Sequence, residues 1–440
     1  MTVGGKTVRV VSASKPGGRP RRSAAALSIL SLLAALALLG PGAAQAQTFS
    51  VLHKFHGRSD GLNPNGVTLD AKGDLYGTAF AGGASNSGVA FRLDSAGKLT
   101  VLHSFMILSP KDGAFPAANL IKDAAGDLYG TTTFGGITRF MRGALFKLDK
   151  AGRITVLYGF CHGNGCPDGE NPASTPVRDA AGNLYGTAMA GGDCSTVGGC
   201  GVVFRLGADG TYTVLRTFSG GADGATPAPG GGLVMDGQGN LYGTAYAGGD
   251  LNCSYLTFQG CGTVFKIDPT GHFTVLHAFT GPDGRAPAAD LALDAGGNLY
   301  GATNGGGAPL KPCLQAGGCG VVFMVTPAGQ ESVLHSFCGS KSCDEGFLAQ
   351  SGVAIGADGA LYGTTNFGVH QTMWGTVFKL KAGKLTTLHN FTGGADGATP
   401  QGVPVLDKAG SIYGATFEGG ALSQCQFGCG VLYKIAPPAP

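Results

Sequence analysis

The sequence predicts an all-β protein, a seven-bladed β-propeller with four antiparallel strands in each blade. Three observations support this prediction: a Leu/Ile-Tyr-Gly phrase recurs seven times, its spacing is nearly constant, and each period holds four short apolar runs. Repeats of this length, rich in β-branched and aromatic residues and punctuated by turns, are typical of propellers. The tyrosines of the phrase are Tyr76, Tyr129, Tyr185, Tyr242, Tyr300, Tyr362 and Tyr413, at intervals of 53, 56, 57, 58, 62 and 51 residues.

The fourth period illustrates the four predicted strands, which we label a to d. They are GLVMD at residues 232–236, NLYGTAY at 240–246, GTVFKI at 262–267 and FTVLHAF at 273–279. An Asp-x-x-Gly sequence joins a to b, and another joins c to d. Because Asp side chains cap turns and Gly accepts positive φ angles, both connections are predicted to be tight hairpins. In central strand b, the Gly should let a neighbouring ring or backbone approach closely.

The two ends of the repeat region carry incomplete periods. A d strand, TFSVLHKF, begins at Thr48 without the earlier strands of its period, and a c strand, GVLYKI, begins at Gly430 with no d strand after it. We therefore predict that the N-terminal strand completes the last blade and closes the ring. Closure removes free sheet edges, which are otherwise open to aggregation.

Residues 1–46 are predicted to be a signal peptide and residues 47–440 the propeller domain. The leader has six basic and no acidic residues, an apolar run at 24–40, and Ala44-Gln45-Ala46 before the expected cleavage point. Without it, 24 basic and 27 acidic residues remain, a net charge of −3. We expect a secreted or periplasmic monomer with no cofactor, no nucleic-acid partner and no membrane segment after cleavage.

The long, variable b–c and d–a connections should all lie on one face, because alternate connections of an up-and-down sheet fall on opposite edges. The cysteines occur within these connections, in neighbouring pairs. In an exported chain such pairs predict six local disulfides, whereas the usual zinc spacing is missing. The bridges would either stiffen a binding surface or protect glycine-rich loops from proteases. The pairs are Cys161 and Cys166, Cys194 and Cys200, Cys253 and Cys261, Cys313 and Cys319, Cys338 and Cys343, and Cys425 and Cys429.

Seven residues are candidates for ligand binding because they interrupt the repeat or lie at the central channel. Four are polar residues where strand a meets the channel, two are glutamates in elaborated loops, and one is the only tryptophan. Structural alternatives stay open: a solvated channel mouth for the polar residues, and a filled gap between blades for the tryptophan. The candidates are Asn65, Asn119, Asp290, Gln350, Glu170, Glu345 and Trp374.

Two further recurring features are interpreted as structural. An Asp-Gly sequence followed by Pro opens most d–a connections, and we expect its carboxylate to cap a turn rather than bind calcium. A histidine recurs on strand d, the outermost strand, so these imidazoles are too far apart to converge on one metal or substrate. We expect each to make a local hydrogen bond. The histidines are His53, His103, His277, His335 and His389.

The repeated phrase D-x-x-G-N-L-Y-G-T-T-x-x-G-G, followed by G-x-V-F-K-L and T-V-L-H-S-F, resembles the bacterial Gloeobacter/Verrucomicrobia (GloVer) tandem-repeat proteins over the whole mature chain. This resemblance implies an exported β-propeller and carries no established activity. Many members have a C-terminal surface anchor, whereas this sequence stops at APPAP.

The leading hypothesis for function is a secreted recognition module, which binds a glycan or an envelope or extracellular protein through its disulfide-stiffened, long-loop face. One alternative is a polysaccharide lyase or hydrolase that uses carboxylates near the central channel, such as Asp290 or Glu345. Another is a structural envelope protein without a ligand. The question of catalysis stays open in the sequence, with recognition favoured.

Overall fold

Seven four-stranded antiparallel sheets follow one another in the computed structural model. It describes residues 47–438 except 108, 110, 139, 193, 195–199, 228–230, 257, 288–289, 308–312, 314–316, 340–342, 344 and 369–373. The predicted signal peptide lies outside the described residues. The seven-bladed, all-β prediction is confirmed. The described part of the chain contains no candidate for a membrane-spanning helix.

The strands are numbered along the chain, beginning with β1 (Thr48–Lys54). Blade 1 contains β2 (Leu62–Leu69), β3 (Leu75–Ala81), β4 (Val89–Leu93) and β5 (Leu99–Ser104); blade 2 contains β6 (Gly113–Pro116), β7 (Ile121–Lys122), β8 (Leu128–Gly135), β9 (Ala144–Leu148) and β10 (Ile154–Gly159); blade 3 contains β11 (Val177–Arg178), β12 (Leu184–Ala188), β13 (Val202–Leu206) and β14 (Tyr212–Thr217).

In blades 2, 4 and 5, strand a is divided into two short pieces. Blade 4 contains β15 (Ala225–Pro227), β16 (Val234–Met235), β17 (Leu241–Ala247), the separate hairpin of β18 (Ser254–Tyr255) and β19 (Phe258–Gln259), β20 (Thr263–Ile267) and β21 (Phe273–Ala278); blade 5 contains β22 (Arg285–Pro287), β23 (Ala292–Leu293), β24 (Leu299–Gly305), β25 (Val321–Val325) and β26 (Glu331–Ser336); blade 6 contains β27 (Val353–Ile355), β28 (Leu361–Thr365), β29 (Thr376–Lys381) and β30 (Lys384–Asn390); blade 7 contains β31 (Ala398–Leu406), β32 (Ile412–Glu418) and β33 (Val431–Ala436).

The N-terminal strand closes the ring, as the incomplete periods predict. Strand β1 pairs antiparallel with β33, from Thr48 opposite Ala436 to Lys54 opposite Val431. The last sheet therefore has the order β1-β33-β32-β31 and joins the two ends of the repeat region. Apolar clusters among the described residues occupy all seven junctions between neighbouring blades.

The repeated phrase on strand b combines a packing position with a turn cap. Gly243 lies opposite Phe265 of strand c, and a Cβ atom at Gly243 would lie 2.7 Å from Cζ of that fully buried ring. The Tyr242 hydroxyl donates to Asp236 in the a–b turn over 3.0 Å. The other oxygen of Asp236 accepts the backbone N–H of Asn240 at 2.9 Å. The phrase thus fixes strand b, its neighbour c and the preceding hairpin together.

All six predicted disulfides are present, and each lies within one b–c or d–a connection. The face that these connections form is called the long-loop face, and the opposite face, formed by the a–b and c–d hairpins, the short-turn face. Each bridge closes a loop of four to eight residues and joins no two distant parts of the ring. The bonds are Cys161–Cys166, Cys194–Cys200, Cys253–Cys261, Cys313–Cys319, Cys338–Cys343 and Cys425–Cys429.

Candidate functional site

A side-chain pair fixes the start of every d–a connection. On strand d, five histidines, Tyr158 and Arg216 each contact a carboxylate that lies six to ten residues later. The same carboxylate caps the loop. For example, Asp283 accepts the N–H groups of Thr280 at 2.8 Å and Gly281 at 3.0 Å. The pairs are His53–Asp60 at 2.9 Å, His103–Asp112 at 3.0 Å, Tyr158–Asp168 at 2.7 Å, Arg216–Asp223, His277–Asp283 at 2.9 Å, His335–Glu345 at 3.0 Å and His389–Asp396 at 3.1 Å.

After this pair, each connection enters strand a through a left-handed residue. The φ angle of Thr226 is 51° and that of Ala286 is 52°, and their N–H groups donate to the carbonyls of Cys200 and Cys261 in the preceding blade. Non-glycine residues rarely adopt this conformation, and here it recurs at every junction. It directs the chain toward the channel at the same level in each blade. The seven residues are Asn63, Phe115, Asn171, Thr226, Ala286, Leu348 and Thr399.

Where these segments reach the channel, they surround a cavity of about 410 Å³, which we call the central cavity. Three of the seven candidates, Asn65, Asn119 and Gln350, line it together, so the structure brings them to one place. Residues from six of the seven blades contribute. The lining residues are Asn65, Ala117, Ala118, Asn119, Thr226, Tyr246, Phe258, Asn304, Gln350, Ser351, Gln401 and Gly402.

The Asn119 side chain occupies a place that only a glycine neighbour permits. Gly66 has a φ of +152°, and a Cβ atom there would lie 2.4 Å from the Asn119 Oδ1 atom. This oxygen is buried and has no hydrogen-bond partner among the described residues. By contrast, the Asn65 amide nitrogen already donates to the Thr78 hydroxyl at 2.9 Å and the Pro116 carbonyl at 2.7 Å. Asn119 therefore offers a free acceptor, whereas Asn65 helps to hold the wall of the cavity.

Asn304 is the most deeply buried amide of the central cavity, and the sequence did not suggest it. Its side chain is 4% exposed, and its Oδ1 atom has no partner among the described residues. Asn304 lies on β24, five residues after Leu299 of the repeated phrase. At this position the phrase varies between blades while its preceding residues repeat, and that variation is the signal that could have identified it. The equivalents are Phe80, Thr133, Met189, Tyr246, Asn366 and Phe417.

Aromatic rings form another part of the wall. Tyr246 and Phe258 make an edge-to-face contact with ring centroids 5.5 Å apart, and Phe258 is 41% exposed.

The remaining lining of the central cavity is neutral. Gln350 accepts a hydrogen bond from the Asn366 amide. The described lining residues are amides, hydroxyls, aromatic rings and small apolar groups, and none is charged. The central cavity therefore suits a neutral ligand with hydroxyl or amide groups and one apolar surface.

The carboxylate candidates do not line this cavity. Asp290 lies in the channel wall of blade 5, where its carboxylate accepts the N–H of Gly232, and burial raises its pKa to about 6. Glu170 contacts Arg142 at 3.3 Å in a d–a connection. Glu345 takes the place of the usual aspartate in the sixth d–a pair, as described above, and accepts the N–H of Cys338 at 2.8 Å. Each of the three carboxylates thus makes its own structural contact in a different part of the ring.

Trp374 lies away from the central cavity, on the long-loop face. Its indole covers Gly393 in the connection between blades 6 and 7, since a Cβ atom at Gly393 would lie 2.6 Å from the indole ring. The side chain is 37% exposed. Residues 369–373 of its loop lie outside the described residues. Trp374 therefore packs on a neighbouring loop and still presents part of its ring to solvent.

Exposed apolar side chains are concentrated on the long-loop face. Among the described residues, eleven large apolar side chains are exposed, and only Val333 lies on an outer strand away from the long connections. Single exposed apolar side chains are normal on protein surfaces, so the notable observation is their concentration on one face. The others are Met106, Phe134, Ile137, Met141, Leu251, Leu256, Phe258, Trp374, Leu422 and Phe427.

A sequence-family model described as the Gloeobacter/Verrucomicrobia repeat matches residues 42–197, 142–311 and 310–439. The chain belongs to this family. The three matches together cover the described part of the chain, so the resemblance drawn from the repeated phrase is confirmed. No curated protein matches the sequence.

Solved structures resemble the chain at low sequence identity. Virginiamycin B lyase from Staphylococcus aureus is 14% identical, with a TM-score of 0.55 over 88% of this chain and 99% of that chain. The extracellular domain of a protein described as a hybrid two component system from B. thetaiotaomicron is 11% identical, with a TM-score of 0.53 over 88% of this chain and 39% of that one. At such identities these likenesses concern the fold alone.

Proposed function

We propose that this protein is an exported recognition module that binds a glycan in the central cavity of its long-loop face. The observation that carries the proposal is the pair of buried, unpartnered acceptors, Asn119 Oδ1 and Asn304 Oδ1, in one neutral cavity. A buried acceptor without a donor is unfavourable by about 1–3 kcal/mol, so a ligand hydroxyl that donates to it gains that free energy. Sugars carry many such hydroxyls.

The rest of the central cavity supports the same ligand class. Its volume of about 410 Å³ falls within the roughly 300–1,000 Å³ typical of small-molecule sites. Tyr246 and Phe258 offer the ring surface against which the apolar face of a sugar packs. Other exposed apolar side chains of the long-loop face offer contact surface for a ligand longer than one sugar unit, such as a chain end or a glycan attached to an envelope protein.

Export is part of the proposal. The predicted leader at residues 1–46 and the six disulfides both support a periplasmic or extracellular location, because disulfides persist in oxidising compartments. We favour recognition over a lyase or hydrolase reaction because Asp290 and Glu345 contact Gly232 and His335 respectively, away from the amide-lined cavity.

The test is a glycan array probed with the mature, disulfide-bonded protein, followed by calorimetry on any glycan that binds. Asn304→Ala should weaken the measured Kd at least about fivefold, since it leaves a buried ligand hydroxyl without its acceptor at a cost of about 1–3 kcal/mol. The matched control is Asn252→Ala, an exposed asparagine of the same face outside the cavity, which should leave Kd unchanged.

Two results would contradict the proposal. One is an array on which no glycan binds the folded protein. The other is a glycan whose affinity survives Asn304→Ala but falls in the Asn252→Ala control, which would move the binding site from the central cavity to the outer loops.

A further inference from the structure

The outer junction between blades 4 and 5 holds a cluster of three potential metal ligands. His277 lies on β21 of blade 4, Asp283 in the connection to blade 5, and Glu331 at the start of β26 in blade 5. One ligand atom from each lies within 4.8 Å of the other two. The His277 Nε2 atom is 2.9 Å from Asp283 Oδ2, as in the d–a pairs of the other blades. The additional group at this junction is therefore the Glu331 carboxylate.

Glu331 differs in type from the residues at the same position of the other six blades. It lies opposite Val325 at the start of its strand pair, and the residue at that register in each other blade is apolar or aromatic. Where this residue is aromatic, its ring packs on the d–a pair of the preceding blade: the ring centroids of Phe49 and His389 lie 3.7 Å apart, and those of Tyr212 and Tyr158 lie 3.8 Å apart. The six equivalents are Phe49, Leu99, Ile154, Tyr212, Phe273 and Leu385.

One oxygen of the Glu331 carboxylate lacks a hydrogen-bond partner in the part of the chain that the structure describes. Its Oε1 atom is inaccessible to solvent and accepts no hydrogen bond from any described residue. Among the described residues, no lysine or arginine pairs with it, while the second carboxylate, Asp283, lies beside it. Asp283 Oδ1 is already occupied by the Thr280 and Gly281 N–H groups, which leaves Oδ2 to face the cluster. Two carboxylates and one imidazole therefore face one another at a half-buried position where no described lysine or arginine balances the carboxylates, and charged groups held partly out of water are usually paired or bound to a metal.

We infer that His277, Asp283 and Glu331 form a binding site for one divalent transition-metal cation, Zn²⁺ or Mn²⁺, which joins blades 4 and 5. An imidazole nitrogen with two carboxylate oxygens is a donor set that these ions accept. Three protein ligands leave the remaining positions to water. The ion would lie where an aromatic ring packs at the corresponding position of other junctions, so it would join the two blades at the outer rim and not in the central cavity.

The experiment uses the mature, disulfide-bonded protein, freed of metal with a chelator and then titrated with ZnSO₄ or MnCl₂ in a calorimeter and in a thermal-unfolding assay. We expect one bound ion per chain and a rise in Tm with metal concentration, because a ligand that binds only the folded state stabilises it. Glu331→Leu introduces the residue of blades 1 and 6, so it should fold. It should bind the metal at least about tenfold more weakly and lose the metal-dependent rise in Tm.

His272→Ala serves as the matched control, because this exposed histidine lies in the c–d hairpin of blade 4 outside the cluster. It should keep both the stoichiometry and the affinity. The inference is overturned if the native protein gives no one-site isotherm with either ion, or if Glu331→Leu binds as tightly as the native protein. The second result would move the metal to another histidine group, such as His53, His56 and Asp60.

Discussion

The short-turn face and the long-loop face of this propeller follow different rules. On the short-turn face, six of the seven a–b hairpins keep the Asp-x-x-Gly sequence, and Asp236 with Tyr242 represents the shared cap. On the long-loop face, the b–c connections range from seven residues between β3 and β4 to fifteen between β24 and β25. This second face also holds the disulfides, the central cavity and most of the exposed apolar side chains.

The difference indicates a division between scaffold and surface. Positions that repeat in every blade build contacts that every blade needs: the ring opposite the strand-b glycine, the capped hairpin and the d–a pair. Residues that depart from the repeat, such as Asn304 and Glu331, are not needed for a contact that the other blades share. The departures from the repeat are therefore the places to look for function.

The largest expected effect separates the scaffold from the surface. Phe265→Ala removes a fully buried ring that packs beside Phe218 and Phe273, so the free energy of unfolding should fall by about 3–5 kcal/mol. Phe427→Ala truncates a ring that is 64% exposed on the long-loop face and should change it by no more than about 0.5 kcal/mol. Urea unfolding of the disulfide-bonded proteins measures both.

A large loss from Phe427→Ala would break the comparison, because the long loops would then belong to the core. Equal m-values for the two variants and the native protein are the necessary control, since a changed m-value signals a changed unfolded state or an intermediate.

The next prediction concerns Asp290, the one candidate carboxylate in the channel wall. Burial raises its pKa from 3.8 to about 6 in the folded chain. Below pH 3.8 the group is protonated in both states and its burial is not penalised. As pH rises to 6, the unfolded state loses its proton first, so stability falls. Above pH 6 the whole penalty is present, roughly 3 kcal/mol for a shift of this size.

Asp290→Asn should therefore stabilise the protein at pH 8, by at most ~3 kcal/mol, and have almost no effect at pH 3.5. Thermal or urea unfolding at the two pH values measures this difference. If Asp290→Asn is more stable than the native protein at pH 8, the native carboxylate destabilises the fold at that pH. Asp290 would then be a stronger candidate for a role in the channel. Equal stability of the two proteins at both pH values would contradict the pKa shift and its physical cause.

The sequence predicts the scaffold well because the scaffold is what repeats. Seven copies of the strand-b phrase identify the blades, the incomplete periods at Thr48 and Gly430 identify the closure, and the short cysteine spacings identify the bridges. The hypothesis that the strand-d histidines make local contacts follows from the same reasoning. Histidines that recur on the outer strands of different blades are too far apart to form one site together.

The site is only partly accessible from sequence. Asn65, Asn119 and Gln350 could be placed because strand a reaches the channel in every blade. Asn304 could not, because it lies within a phrase that looks uniform until the residue five positions after its leucine is compared between blades. Glu345 attracted attention as a rare glutamate, yet it replaces the usual aspartate of a d–a pair. Which loop side chains cover one another, as Trp374 covers Gly393, depends on loop conformations that no spacing encodes.

The smallest expected effect tests whether the disulfides belong to the scaffold or to the surface. Replacing both Cys425 and Cys429 with serine opens a loop of four residues, for which the chain-entropy model gives at most about 2 kcal/mol. The nearby Gly57 loop, whose added Cβ atom would lie 3.5 Å from the Cys425 Sγ atom, should become more accessible to proteases at the same time. Urea unfolding and limited proteolysis measure the two effects. A loss of stability close to that of Phe265→Ala would make the bridge part of the scaffold. Local cleavage with nearly native global stability would instead show that the bridge belongs to the surface. Its role would then be to order a loop beside the junction that closes the ring.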